Sequence, residues 1–355
     1  MKKVLLIDST PVKQAPYLNI YTVVFDKKRL SWDILTWDKD ADGETSYKNH
    51  IFTIHRKMHL HGLSKLNDFF HVSVEMRKII SNGQYTHIVV VNTIWALLLI
   101  DVLSQMRGHY IIDIRDYKIE RKLFVPVFFK KLVSRAFVTV ISSNGFRDFL
   151  PEDEHIVVSH NISDFCHESR EPSLYPGEKE VTIGYVGYVR YNTPNRNLIK
   201  RIGGDLSYKL VYYGNVSKYC DFVNDDSLQR NNVYMMGKFE NNEKYKIYEG
   251  IDIINSLFDS SYASRTLTPN RLYDALLYKK PMIVPAHSYM AKLVKKYQLG
   301  LVTDLSENFN IELKSYIDHF DRENFIRNCN QLLNEVKSEQ QNFFKSIEEF
   351  VRRIV

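Results

Sequence analysis

Cysteine is scarce in this chain, and the three present, Cys166, Cys220 and Cys329, are far apart and odd in number. That count excludes a disulfide framework and a cysteine-built zinc site, and it suits a reducing cytoplasm. Long apolar runs are missing as well. The longest, IVVVNTIWALLLIDVL at 88–103, is interrupted by Asn92, Thr93 and Asp101 and falls short of a bilayer span, so no transmembrane segment is expected. The opening MKKVLLIDST has basic residues but only four apolar ones before Asp8, too few for an export signal, and reads as a buried first strand. Absent too are the G-x-G-x-x-G of dinucleotide enzymes, the Walker A loop and the G-x-S-x-G elbow, which argues against a nicotinamide dehydrogenase and a hydrolase.

What is present points to a two-domain enzyme. A length of 355 residues with 44% hydrophobic and 13% aromatic content can bury two ordinary cores. Lys and Arg number 48 against 42 Asp and Glu, and the formal charge of +6 suits anionic or phosphate-bearing partners. The basic residues form no nucleic-acid motif, so no nucleic acid is expected.

Short β-branched or aromatic runs alternate with helical patterns. KVLLID, THIVVVN, HYIIDIRD, FVTVISS and HIVVSHN read as strands, with a helix over 66–82 between them. The alternation implies parallel strands covered by helices. At 166–180, CHESREPSLYPGEKE replaces this pattern with Pro172, Pro176, Gly177 and charges, and reads as a connector. Six further strands follow: VTIGYVG, YKLVYYGN, NNVYMMG, GIDIINSLF, KPMIVPA and LGLVTD. The expected architecture is therefore α/β, with doubly wound, Rossmann-like domains at 1–165 and 181–335. Two terminal helices follow from 322 on. One carries Phe325, Ile326, Cys329, Leu332, Leu333 and Val336; the other, at 336–355, carries Phe343, Ile347, Phe350, Val351 and Ile354 and packs back on the first domain.

In such folds ligands bind beyond the carboxyl ends of the strands. The tetrapeptide TPNR occurs there twice, at 193–196 and 268–271, each time between a strand and a helix. Thr268 can N-cap a helix running to about Lys279, with Pro269 first and Asn270 next, and its open amides would attract an anion. Arg265 and Arg271 flank that start, and Asp274, one turn beyond Arg271, can accept hydrogen bonds from two ribose hydroxyls. The same residues would equally serve a plain capped helix with an Arg and Asp on its solvated side.

The segment TLTPNRLYDALLYKKPMIVP resembles the donor-binding helix of retaining GT-B glycosyltransferases of family four, which reads roughly P-x-K-x-x-E-x-x-x-x-x-x-P. The resemblance implies that Asp274 stands for the ribose-binding acid and Arg271 for the basic residue, with Pro281 opening the next strand. VTIGYVGYVR resembles the family's first C-terminal strand and loop, so that Gly187 and Arg190 would face a diphosphate. VYYGN around Gly214 and VYMMGKFENN, with Gly237, Lys238 and Phe239 beside the base, complete a likeness that covers the second domain. In the first domain YIIDIRDYKIE resembles the family's Asp-Arg-Asp stretch, which implies that Asp116 and Arg115 position the acceptor. Two departures stand out: Thr266 occupies the place of a second acid, and the loop DSTPVKQAPY has no glycine.

The resemblance implies a cytoplasmic enzyme that moves a sugar from a nucleotide diphosphate sugar, UDP-linked, to a glycan or polyprenyl-linked acceptor in surface polysaccharide assembly, with retention and without a metal or other cofactor. The departures leave room for a catalytically silent subunit, and a nucleotide-sugar epimerase is a third reading. His55, His59, His61 and His71 are spaced for a metal but lack Cys or acidic company. The stretch 118–137 interleaves Lys118, Arg121, Lys122, Lys130, Lys131 and Arg135 with Phe124, Phe128, Phe129 and Leu132. It suits either an anionic membrane surface, as a peripheral contact, or a sheet-covering helix.

Overall fold

The computed structural model describes residues 3–10, 12, 15–40, 50–117, 119–122, 124–162 and 180–354. The chain divides into two compact units, Met1–His160 with Ser338–Val355, and Asn161–Lys337. The expected connector at 166–180 lies, except for Glu180, outside the described residues.

The first unit runs β1 (Lys3–Ile7), α1 (Asn19–Lys27), β2 (Ser31–Asp38), β3 (Ile51–His55), α2 (Gly62–Gly83), β4 (His87–Val91), α3 (Thr93–Leu98) and α4 (Ile100–Gln105). It continues with β5 (Tyr110–Ile114), α5 (Val125–Val133), β6 (Val138–Ile141) and β7 (Ile156–Val158). All seven strands are parallel, in the order β3-β2-β1-β4-β5-β6-β7. The second unit holds β8 (Val181–Val186), α6 (Asn192–Ile202), β9 (Tyr208–Tyr213), β10 (Val233–Gly237), α7 (Lys244–Glu249) and β11 (Ile253–Asn255). Then come α8 (Tyr262–Thr266), α9 (Arg271–Tyr278), β12 (Met282–Pro285), α10 (Tyr289–Lys296), β13 (Gly300–Thr303), α11 (Phe309–Asp318) and α12 (Arg322–Arg352). Its six strands are also parallel, ordered β10-β9-β8-β11-β12-β13.

Parallel sheets covered on both faces need strands apolar on both sides, and β4, β5 and β6 are buried at every position. Sequence reading found five strands in the first half; the structure has seven. The two missed, β2 and β3, carry polar residues that disguise them. Asp33 in the middle of β2 is buried because the Tyr85 hydroxyl donates to it and Lys3 Nζ stands 2.5 Å away.

The two expected terminal helices are one. The stripes at 325–336 and 343–354 are separated by KSEQQN, which lacks apolar residues but also any Gly or Pro to stop a helix, so α12 runs on for 31 residues. Phe325, Cys329, Leu332 and Val336 enter the second unit's core, while Phe343, Ile347, Phe350, Val351 and Ile354 join Val4, Leu6, Val89 and Ile111 in the first. Inside the polar interval Glu339 receives Asn144 Nδ2 at 2.8 Å and pairs with the His160 ring at 2.7 Å, and Gln340 accepts the His160 amide at 2.7 Å. The helix expected over 118–137 is shorter, Val125–Val133, and Lys118 lies outside the described residues. Among the described residues no helix is long and apolar enough to cross a membrane.

Candidate functional site

At the carboxyl end of the second sheet three glycines line up. Gly187, Gly214 and Gly237 end β8, β9 and β10 with φ of +124°, +127° and +77°. The Gly187 amide donates to Tyr213 O at 2.9 Å and the Gly214 amide to Gly237 O at 2.6 Å. A Cβ on Gly214 would stand 2.0 Å from Gly187 O, so the backbones approach closely because neither residue has a side chain. A Cβ on Gly187 would meet only Arg271 Nη1, at 4.0 Å.

Arg271 opens α9 and is buried, with 8% of its surface exposed. Its guanidinium lies 4.1 Å from the centre of the Tyr185 ring, and its Nε reaches Ser256 Oγ, at the end of β11, at a long 3.4 Å. Among the described residues no carboxylate comes within ion-pair distance of it. Buried guanidinium groups are ordinarily paired, because removing a charge from water is costly unless another charge answers it.

One turn on, Asp274 is also buried. It accepts the Tyr248 hydroxyl at 2.8 Å and Lys244 Nζ at 3.2 and 3.3 Å, both from α7 and its start. Burial and the Asp274 charge push the Tyr248 phenol well above its ordinary range, so that hydroxyl is a fixed donor. Tyr248 also stacks on Tyr278 at 4.5 Å, which fixes its ring. Phe239, half-buried, packs against the same core as Tyr248 and Leu272.

The structure therefore brings together Gly187, Gly214, Gly237, Arg271 and, one helical turn away, Asp274. It treats the other expected residues differently. Arg190 is exposed over its neighbour Tyr191, 5.0 Å from the ring centre. It also contributes to keeping Asp259 ionised: burial raises that carboxyl, but hydrogen bonds from Ser261 and Ser264 and the Arg190 charge outweigh it. Arg265 is exposed above Tyr262 of its own short helix, and Lys238 is exposed beyond β10.

The Thr266 hydroxyl donates back to Tyr262 O and Ala263 O, both at 3.2 Å, which commits its proton to the backbone. The expected Thr268 cap is corrected. α9 starts at Arg271 behind Asn270, and the Leu272 and Tyr273 amides bond Pro269 O and Asn270 O, so Thr268 and Pro269 lie ahead of the helix. The other TPNR copy is placed differently again, inside α6, which opens at Asn192 behind Tyr191. One tetrapeptide thus takes two helical registers, because apolar burial and not the local signal sets where each helix begins.

In the first unit Arg115 is buried. Its Nη2 donates to Asp113 Oδ2 at 2.6 Å and lies 3.4 Å from Ser159 Oγ, with the guanidinium 5.0 Å from the Tyr17 ring centre. Tyr21 also donates to Asp113, at 2.7 Å. Asp116 is exposed just after β5. Asp8, at the end of β1, is buried and receives the Tyr17 hydroxyl at 2.5 Å and the Thr10 amide at 3.0 Å. Burial pushes its carboxyl above the usual range, and these hydrogen bonds only partly oppose that. Sequence reasoning passed over Asp8, Tyr17, Tyr21 and Asp113; the signal was a charged residue set in or directly after an apolar strand. His55 pairs with Asp38 and His59 with Asp68, two separate carboxylates, and among the described residues no cluster of three or more His, Cys, Asp and Glu could hold a metal.

No family model matches the chain, and no curated protein matches it. Solved structures do. The Anabaena protein HepE, in a complex with UDP, superposes with a TM-score of 0.69 at 12% identity, over 98% of this chain and all of that one. Sucrose-phosphate synthase from Thermosynechococcus elongatus gives 0.66 at 10% identity, over 99% and 100% of the two chains. The lipopolysaccharide outer core galactosyltransferase WaaB gives 0.64 at 10% identity, over 98% and 99%. With its two parallel sheets of seven and six strands, the chain has the GT-B fold.

Proposed function

We propose that the chain is a glycosyltransferase that takes its sugar from a nucleotide diphosphate donor, UDP-linked, and passes it to a glycan or polyprenyl-linked acceptor with retention of configuration, on the cytoplasmic side of the membrane. The observation that carries this reading is Arg271: a buried guanidinium with no carboxylate in ion-pair range among the described residues, beside glycine turns at the carboxyl end of a parallel sheet. A pyrophosphate supplies the missing negative charge, and the bare glycine backbones let it approach. HepE has been solved with UDP and with UDP-glucose, which supports the same ligand class here.

In this reading Arg271 stabilises charge growing on the leaving diphosphate, a preorganised electrostatic role. Asp274, held by Tyr248, takes the ribose hydroxyls and shares its second oxygen with Lys244. Gly237 to Phe239 lie by the base. Arg190 and Arg265, exposed, are assigned to the outer part of the donor, together with Thr268 and Asn270. Asp116 and the Arg115 network serve the acceptor side. The cationic work falls to Arg271 and not to a metal, so a chelator should leave UDP affinity unchanged.

Calorimetry with UDP tests the core of this. Arg271→Gln should weaken binding by about 1.5–3 kcal/mol and Asp274→Ala by about 1–3 kcal/mol, the range for hydrogen bonds to charged groups. Wild-type affinity in both folded variants would remove this corner as the donor site. A second reading, a catalytically silent subunit that still binds the nucleotide sugar, draws on Thr266, whose hydroxyl is turned to its own helix. Donor hydrolysis or transfer by the purified chain excludes it, and conversion of the donor without any acceptor would instead mark an epimerase.

A further inference from the structure

Beside Arg271 the second unit holds an acid that the donor chemistry described so far does not use. Ser256, directly after β11, has its Oγ 3.4 Å from Arg271 Nε, and three residues further on the chain reaches the surface at Asp259. Between them Phe258 is buried against the Tyr191 ring, 6.1 Å between centres, which ties the loop leaving β11 to the loop leaving β8. That second loop holds Gly187 and Arg190, and a Cβ on Gly187 would meet Arg271 Nη1 at 4.0 Å. Asp259 and Arg190, both exposed, each adjoin one ring of this buried aromatic pair, so they stand on neighbouring loops at the mouth of the Arg271 corner.

In the loops that leave β8, β11 and β12, residues 187–191, 256–270 and 286–288, Asp259 is the sole acid. Its position is fixed. Oδ1 accepts the Ser261 amide at 3.0 Å, and the Ser261 hydroxyl in turn donates to Ser264 Oγ at 3.0 Å and accepts the Ser264 amide at 3.2 Å. Burial draws the Asp259 carboxyl up, yet hydrogen bonds from Ser261 and Ser264 and the charge of Arg190 leave it below the ordinary range, so it is ionised at neutral pH.

A fixed negative charge repels a pyrophosphate, which Arg271 and the bare glycine backbones suit instead. Ribose is provided for by Asp274, whose partners Tyr248 and Lys244 come from α7. With the base beside 237–239, the part of a nucleotide diphosphate sugar still without a partner is the sugar itself. Its hydroxyls are donors, and an ionised carboxylate is the strongest acceptor a side chain can offer them. The same charge discriminates: a sugar that carries its own carboxylate meets Asp259 with like charge, and a neutral hexose does not.

We propose that Asp259 selects the sugar of the donor, accepting hydroxyls of a neutral hexose, with Arg190 as the neighbouring donor, and turning away uronic acids. The inference rests on the donor site proposed above and adds to it the class of sugar taken.

Calorimetry of the full chain with UDP, UDP-glucose, UDP-galactose and the matching acids, UDP-glucuronate and UDP-galacturonate, tests this. A neutral sugar nucleotide should bind more tightly than UDP, and more tightly than its uronate by about tenfold or more. Asp259→Asn keeps an acceptor for the Ser261 amide but loses the charge. In that variant the preference over the uronate should fall to about threefold or less, and UDP itself should bind no more weakly, because a charge that repels the diphosphate is gone. Asp259→Glu should restore most of the discrimination. A wild-type chain that binds no UDP overturns the donor site and this inference with it. UDP binding accompanied by uronates that bind as well as the neutral sugars, by neutral sugars that bind no better than UDP, or by discrimination that survives in Asp259→Asn overturns the role of Asp259 alone and leaves the donor site standing.

Discussion

At the scale of single residues the glycine corner is the most constrained part of the second unit. Gly214→Ala would set a Cβ 2.0 Å from Gly187 O at φ +127°, two penalties at once. Left-handed strain and backbone overlap together should cost at least about 3 kcal/mol, read as a fall in the denaturant midpoint. A near-neutral result would show that the two turns can separate. Tyr248 offers a subtler test. Tyr248→Phe removes the donor that aims Asp274, so unfolding should become easier by about 1 kcal/mol. UDP affinity should drop too, although the phenol is fully buried and assigned no ligand contact. Arg271 was legible as a candidate from its place before an amphipathic helix; that no carboxylate among the described residues pairs with it was not, since pairing depends on which side chains the fold brings near. Asp274 was legible as an acid one turn on, but Lys244 and Tyr248, 30 and 26 positions away, were not.

At the scale of elements, helix starts illustrate the limits of local signals. Thr268 and Thr193 both have the chemistry of an N-cap, yet α9 opens behind Asn270 and α6 behind Tyr191. Burial of Leu272, Tyr273 and Leu276 in one case, and of Asn195, Leu198 and Ile199 in the other, sets each helix's phase, and that outweighs one side-chain cap. The entry to α2 is held differently, by Asp68, which accepts the His59 amide and ring at 2.8 Å each and Arg56 Nε at 3.0 Å. The His59 amide and ring, with Arg56, draw the Asp68 carboxyl down to about 2 against burial. Its folded pKa thus lies below the unfolded value of 3.8, so its stabilisation is present above about pH 4 and lost as pH falls toward 2. In thermal melts across that window Asp68→Asn should flatten the acid-side loss of Tm, and an unchanged slope would refute the role. The end of α12 belongs to the first unit's core. Phe343→Ala should cost about 3–5 kcal/mol, the usual loss for a fully buried Phe, measured by chemical denaturation.

At the scale of the whole molecule, ligand linkage gives the broadest test. A nucleotide bound only by the native second unit stabilises it by mass action, so UDP at about 100 times its Kd should add about 2.7 kcal/mol, visible as a rise in the melting transition. A panel of nucleotide sugars ranked this way would name the donor, and no response from any member would count against the proposed function. All six strands of the second unit were legible as short apolar or aromatic runs; the inner strands β8, β9, β11 and β12 are so composed because both faces of a parallel sheet are covered, whereas β10 at the edge is largely exposed. In the first unit β2 and β3 escaped notice. Asp33 is tolerated inside β2 only because Tyr85 and Lys3, distant in sequence, meet it.

By itself the amino-acid order determined the class of architecture, two doubly wound α/β halves, and singled out Arg271 as a candidate ahead of an amphipathic helix. Periodicity and strand composition are local properties, and a covered parallel sheet imposes them directly on the chain. Tertiary structure alone decided which polar groups are answered. It gave Asp274 to Tyr248 and Lys244, turned the Thr266 hydroxyl to its own helix, placed Arg115 on Asp113, and, among the described residues, left Arg271 with no carboxylate in ion-pair range. The partners of Asp274 come from 26 and 30 positions away, where no short window of sequence registers them, and even the local pairs of Thr266 and Arg115 are chosen by how packing buries those side chains.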